Sequence, residues 1–343
     1  MKLIDLKDIK FPTKKDEDFR KINLSPILKK EFEYSKEYKL DLELQESKSI
    51  SSRTNELLKI NERLNTKNYE LNIQEDSNEP IIIVHNLENE NSINTNSLKI
   101  NVAENIKASI IEIFVNKKEK NIYTVNRELN LAKNSKLEYL KIQDFSEDTS
   151  FLINYLNHLD DNSKLNHTNF EIGKGFSLSI YDTNLEKENA AFNINGLVKL
   201  YESADSSSIF NTNHENKKNT SDIKYKHILN DNSKAVFEAI SRVDEKAFFS
   251  QVHQNSDTIL LSDEAAIFAK PHLEINIDEL EASHGATTGS LNKDQLLYLQ
   301  SRGIDEKLAK QILLKAVENE IIETILDEKV KEFIKEYKRD NYV

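Results

Sequence analysis

A turn-then-strand phrase that returns at near-constant spacing constrains this chain more than any other feature. It reads Glu104-Asn105-Ile106-Lys107-Ala108, then Lys133-Asn134-Ser135-Lys136-Leu137, then Asp161-Asn162-Ser163-Lys164-Leu165, and later Asp231-Asn232-Ser233-Lys234-Ala235. The first three lie 29 and 28 residues apart. An acidic or amide residue tolerates tight-turn dihedrals and the Leu or Ala that follows points inward, so each phrase predicts a corner feeding a new strand. Coils of that kind stack rung on rung at about 4.8 Å and need no helices over their crossovers. An antiparallel sandwich also gives short strands and polar turns, but six Gly and four Pro are few for a fold rich in tight hairpins.

Strand-like runs fill the intervals. From about Pro80 the chain reads Ile81-Ile82-Ile83-Val84, Ser109-Ile110-Ile111-Glu112-Ile113-Phe114-Val115 and Lys136-Leu137-Glu138-Tyr139-Leu140-Lys141-Ile142, alternating or continuously apolar at strand length. Ahead of them, Ile27, Leu28 and Phe32 share one helical spacing, and Leu57, Leu58, Ile60 and Leu64 another. After Gly289 helix returns. Asn292 is placed to cap a helix through Leu296, Leu297, Tyr298 and Leu299, Gly303 to stop it in a left-handed turn, and Asp305 to cap the next. Leu308, Ile312, Leu313, Ala316, Val317, Ile321, Ile325 and Leu326 then form an apolar stripe that needs the core or a partner, and the tail through Lys338, Arg339 and Val343 reads as frayed. The expected architecture is mainly β: a helical N-terminal region at 1–78, a stacked-coil core at 79–289 and a helical C-terminal region at 290–343.

Composition narrows the function. With 47 basic against 59 acidic side chains the formal charge is −12, which argues against a nucleic-acid groove or an anionic membrane surface as partner. Met1 to Asp8 alternate apolar and charged groups without the apolar run of a signal peptide, and no stretch approaches the ~18 apolar residues of a membrane span, so the chain reads as cytoplasmic. An apolar fraction of 38%, below the usual ~45–50%, suits a thin, elongated core. Cysteine is absent, which removes disulfides, thiolate ligands and cysteine nucleophiles.

The usual chemical motifs are missing. No two glycines lie five apart, so there is no phosphate-cradling loop, and Gly173-Lys174-Gly175 lacks the third glycine of a dinucleotide turn. Gly285-Ala286-Thr287-Thr288-Gly289 imitates a nucleophile elbow and reads as a turn. Of the histidines at 85, 158, 167, 214, 227, 253, 272 and 284, each taken alone is best read as a surface or hydrogen-bonded core imidazole. His272 and His284, with Glu274, Asp278 and Glu279 nearby, offer nitrogen and oxygen ligands for iron, although strand alternation equally places such groups on a solvated face.

The run Pro271-His272-Leu273-Glu274-Ile275, then Ser283-His284-Gly285-Ala286-Thr287-Thr288-Gly289, then Tyr298-Leu299-Gln300-Ser301-Arg302-Gly303-Ile304, resembles in order and spacing the C-terminal signature of the SufB/SufD family. Tyr225-Lys226-His227-Ile228-Leu229, Val236-Phe237 and the stretch from Asp257 to Phe268 resemble its last coils, and Phe11-Pro12-Thr13-Lys14-Lys15-Asp16-Glu17-Asp18-Phe19-Arg20 its N-terminal motif. The resemblance implies a right-handed parallel β-helix with helical ends. It also implies a non-catalytic scaffold subunit of a SufBCD complex, working with a SufB-type subunit and a SufC-type ATPase. On the same resemblance, no cofactor is tightly bound by the chain alone. The resemblance further implies a transient iron–sulfur cluster shared with SufB through His284, and docking of SufC by Leu299, Arg302, Gly303 and Ile304; the isolated chain is a possible homodimer. Relatives often carry Cys just before Ser-His where this chain has Ala282, and Phe19 and Ala239 replace a usual Trp and Gly. The missing sulfur-accepting Cys selects the SufD-type branch. Two other readings stay open: a secreted-type β-solenoid carbohydrate-active enzyme, and a purely structural adaptor.

Overall fold

The corners stack into columns. The computed structural model describes residues 1–7, 9–37, 42, 44–47, 57–64, 68–86, 90–116, 120–145 and 149–341. Asn105, Asn134, Asn162 and Asn189 are all left-handed, with φ of 63°, 58°, 56° and 56°. Each backbone N–H donates to a carbonyl of the following coil: Asn105 to Lys133 at 3.0 Å, Asn134 to Asp161 at 2.9 Å, Asn162 to Glu188 at 2.9 Å and Asn189 to Lys217 at 3.2 Å. The side chains of the first three add an amide ladder, Nδ2 to Oδ1 at 2.8 Å for each step. Asn is among the few side-chain-bearing residues that enter this region readily, so the chain turns its corners almost without glycine.

Between the corners run β1 (Tyr34–Glu37), β2 (Gln45–Ser47), β3 (Asn68–Ile73), β4 (Ile81–Asn86), β5 (Ser92–Val102) and β6 (Lys107–Asn116). There follow β7 (Ile122–Leu131), β8 (Lys136–Phe145), β9 (Ser150–Leu159), β10 (Lys164–Gly173), β11 (Phe176–Leu185) and β12 (Ala191–Leu200). The last are β13 (Asp205–His214), β14 (Thr220–Leu229), β15 (Lys234–Val243), β16 (Gln251–Leu260), β17 (Ala266–Ile275) and β18 (Glu281–Gly289). The odd strands from β3 to β17 make one sheet, with β2 beside β3 and β1 beside β5; the even strands from β4 to β18 make the other. Only β2 with β3 is antiparallel among the described strand pairs. The result is the expected parallel β-solenoid, two strands and two corners to a coil.

The fourth phrase belongs to the other corner. Asp231, not Asn232, is its left-handed residue, with φ 54°, and Asn232 N–H donates to Glu202 O at 2.8 Å. It feeds β15 of the odd sheet, whereas the first three phrases feed β6, β8 and β10 of the even sheet. That half-coil offset is why its spacing breaks the run.

Three apolar layers hold the coils. Inside, Tyr155, Tyr181 and Phe210 face one another in register and stack at 4.9 Å and 4.8 Å. On the outer face of the odd sheet, Leu3, Ile27, Leu28, Phe32 and Ile60 pack on Ile122, Leu152, Ile180 and Ile209. On the outer face of the even sheet, Ile321, Ile322, Ile325, Val330 and Ile334 pack on Leu140, Ile142, Phe170, Leu197 and Ile228. Strands covered on both faces lose alternation, which explains the apolar runs of β6 and β8, whereas in β4 the outward Ile82 and Val84 stay 46% and 54% exposed.

The ends are less purely helical than the sequence suggests. The N-terminal region holds α1 (Ser25–Lys29) and α2 (Leu58–Leu64), but also β1, β2 and β3, and Phe32 is buried just beyond α1 rather than in it. At the C-terminus come α3 (Lys293–Ser301), α4 (Glu306–Ile322) and α5 (Glu328–Asn341). Asn292 and Asp305 cap α3 and α4, accepting from Asp294 and Gln295 N–H and from Leu308 N–H, and Gly303 turns with φ 83°. The apolar stripe breaks at Ile322, leaving Leu326 70% exposed in the link to α5. The tail is not frayed at Lys338, whose Nζ pairs with Glu318; Val343 lies outside the described residues.

Candidate functional site

The solenoid ends open. β17 pairs only with β15 and β18 only with β16 among the described residues, so both last strands keep a free edge. Their burial shows it: no residue of β17 or β18 is buried, against nearly every residue of β7 and β9. Solenoids need a cap or a partner where stacking stops.

His284 stands at this mouth. It is in register with Gln254, whose Nε2 reaches across the interior to Ser241 Oγ at 2.7 Å and to the His272 carbonyl at 3.2 Å. His284 likewise points between the sheets, with Nδ1 3.1 Å from the Pro271 carbonyl on β17. A carbonyl only accepts, so Nδ1 carries the proton and the Nε2 lone pair is left for a ligand. The ring is exposed because no further coil covers it. Gly285 to Gly289, read from sequence as a turn, is instead the body of β18.

The other histidines fall away from this point. His272 lies on the outer face of β17 in the odd sheet, with Nε2 3.7 Å from Glu274, so it points away from the interior into which His284 points from the even sheet. His253 contacts Ser283 Oγ at 2.8 Å on the outer face of β16 and β18. Among the described residues no group of three or more His, Cys, Asp or Glu is arranged to hold a metal ion. His284 therefore offers one ligand, and a shared site needs the rest from elsewhere.

Sequence reasoning missed a polar string inside the solenoid. Glu112, wholly buried, takes Arg127 Nη2 at 2.5 Å and His85 Nε2 at 2.6 Å, and accepts from Tyr139 OH. Burial pushes its carboxyl up, but Arg127 and then His85 outweigh that and hold it below the ordinary carboxylate range. Burial pulls Lys141 down to about 8 and the imidazoles of His167, His214 and His227 to about 3, 3 and 4. The inward parity of β4, β6, β7, β8, β10, β13 and β14 was the signal that could have found these groups.

The second candidate surface is the arm of α3 and the first half of α4. No residue of α3 is buried, and Leu297, Tyr298, Leu308 and Ile312 are 62%, 58%, 46% and 40% exposed. Arg302 lies over the Tyr298 ring at 5.3 Å and donates to its OH at 3.2 Å. Leu299 closes the turn, its carbonyl accepting from Arg302 N–H at 3.1 Å and Ile304 N–H at 3.3 Å. Leu299, Arg302, Gly303 and Ile304 thus form one elbow, about which the apolar side chains are displayed.

Fold and site together define a parallel β-solenoid with a histidine at an open mouth and an uncovered helical elbow beyond it. Residues 84–317 match the model of the SufBD core domain of the SUF system for FeS cluster assembly, and the chain belongs to that family. It is 34% identical over 108 residues to the iron–sulfur cluster assembly protein SufD of Escherichia coli, covering 32% of this chain and 26% of that protein. It is 31% identical over 87 residues to SufD of Bacillus subtilis, covering 25% and 20%. To the chloroplastic SufBD family protein ABCI8 of Arabidopsis thaliana it is 26% identical over 170 residues, covering 49% and 30%. The chain thus spans less than a third of the length of each of these relatives in the matched stretch. No helix among the described residues is long and apolar enough to cross a membrane.

Proposed function

We propose that this chain is a SufD-type, non-catalytic scaffold subunit, which presents His284 to a SufB-type subunit at the open end of its solenoid and docks a SufC-type ATPase on its α3–α4 elbow. The observation that carries the reading is the His284 ring held by the Pro271 carbonyl beside two free strand edges. An edge recruits another strand through its unpaired N–H and C=O groups, so the partner that completes the sheets also closes the mouth over His284. The nascent cluster is cargo shared across that seam: this chain supplies one imidazole and the partner supplies sulfur and the remaining ligands. In isolation the same edges are available to a second copy of the chain.

Replacing His284 by Ala tests the site. The variant should assemble with its partners and retain less iron and sulfide after co-expression; unchanged cluster content would remove His284 from the reaction. For the elbow, amides from Leu296 to Leu314 should gain protection from exchange when the SufC-type ATPase is added. Unchanged exchange there would move the ATPase contact elsewhere.

A further inference from the structure

The corner column ends on an expensive residue. Below Asn105, Asn134, Asn162 and Asn189 come Lys218 with φ 60° and Phe249 with φ 62°. Phe249 keeps the column's hydrogen bond, its N–H donating to Glu279 O at 2.7 Å, and Lys218 N–H donates to Phe248 O at 2.8 Å. An aromatic residue is among the least suited to left-handed angles, and Asn or Gly would hold this turn with less strain. Packing does not explain the choice: Phe249 is 63% and Phe248 39% exposed. Strain kept without burial points to recognition by another molecule.

Its surroundings say what kind. Asp244, Glu245, Asp278, Glu279 and Glu281 are all exposed at the two turns that meet here, and they outnumber the exposed Lys246 on the same turns and Lys217 and Lys218 on the neighbouring corner. Glu279 and Leu280 lead directly into Glu281, the first residue of β18, so the corner abuts the free edge. Aromatic faces among carboxylates suit a Lys or Arg whose alkyl stem lies on the rings while its charge meets the acids.

We propose that the Phe248–Phe249 corner is a second contact of the open end and receives a basic, aliphatic-stemmed segment of the partner solenoid. This rests on the scaffold reading and adds to it the charge of the partner's facing surface. The test is the affinity of the full chain for the SufB-type subunit encoded in the same genome, with melting temperature measured alongside. Phe249→Asn should melt at or above the wild-type temperature, since Asn suits the turn, and bind roughly tenfold or more weakly. Wild-type binding should weaken as NaCl is raised from about 50 to about 500 mM, and Asp278→Asn/Glu279→Gln should flatten that dependence. Wild-type affinity in Phe249→Asn, or a clear fall in its melting temperature, would overturn the contact while leaving the scaffold reading standing. Failure of the wild type itself to bind would overturn both.

Discussion

Lowering the pH from 7 to 4.5 should strip the solenoid of much of its stability, and the size of the loss follows from groups inside it. His167, His214 and His227 have folded pKa values of about 3, 3 and 4 because burial disfavours the imidazolium. A folded value below the unfolded ~6.5 means that the stabilisation is complete above 6.5 and drains away as pH falls toward the folded value. Each group loses about 1.4 kcal/mol per pH unit over that window, so the three together lose about 8 kcal/mol by pH 4.5. Glu138 acts the other way. Burial, with Asp327 adding to it against the Leu326 backbone and Asn166 hydrogen bonds, raises it to about 7. It therefore costs stability above pH 7 and returns about 3 kcal/mol as pH falls to 4.5. The net loss is about 5 kcal/mol, close to two protons taken up on unfolding. Denaturant titrations at half-unit steps of pH should show the midpoint falling steadily below 6.5, and His214→Asn should remove about one proton from the slope. A midpoint unchanged between pH 7 and 5 would refute the account of a dry, neutral-histidine interior.

Two further substitutions probe that interior. A Cβ at Gly196 would meet the Tyr225 ring at 2.4 Å, and Tyr225 is itself fixed by Asn169 at 3.2 Å, so Gly196→Ala should cost about 1–3 kcal/mol of unfolding free energy and Gly196→Ala/Tyr225→Val should recover part of it. Glu112→Gln leaves Arg127 as a buried cation without its counter-ion and should cost about 3–5 kcal/mol in the same assay; a loss under about 1 kcal/mol would show that water reaches the pair.

Much of the fold was legible because its signals are local. Asn105, Asn134 and Asn162 mark corners through their own backbone preference, and Asn292, Gly303 and Asp305 mark helix ends in the same way. What escaped depends on long-range register. Asn232 repeats the phrase but sits half a coil away, and only strand pairing tells the two corners apart. Glu112, Lys141, Glu171 and His167 read as ordinary polar positions until pairing places them inside. The site was half legible. His284 stood out by resemblance, but its inward direction, its bond to Pro271 and the free edges beside it arise from where stacking stops, and Phe249 carried no signal without its backbone angle.

The most direct measurement is the hyperfine coupling between paramagnetic cluster iron and nitrogen, made on the assembled complex with only this chain carrying 15N-labelled histidine. A single imidazole coupling that vanishes in His284→Ala is the predicted result. A spectrum without such coupling, or one in which it survives that substitution, would contradict the claim that this solenoid lends its terminal imidazole to the cargo.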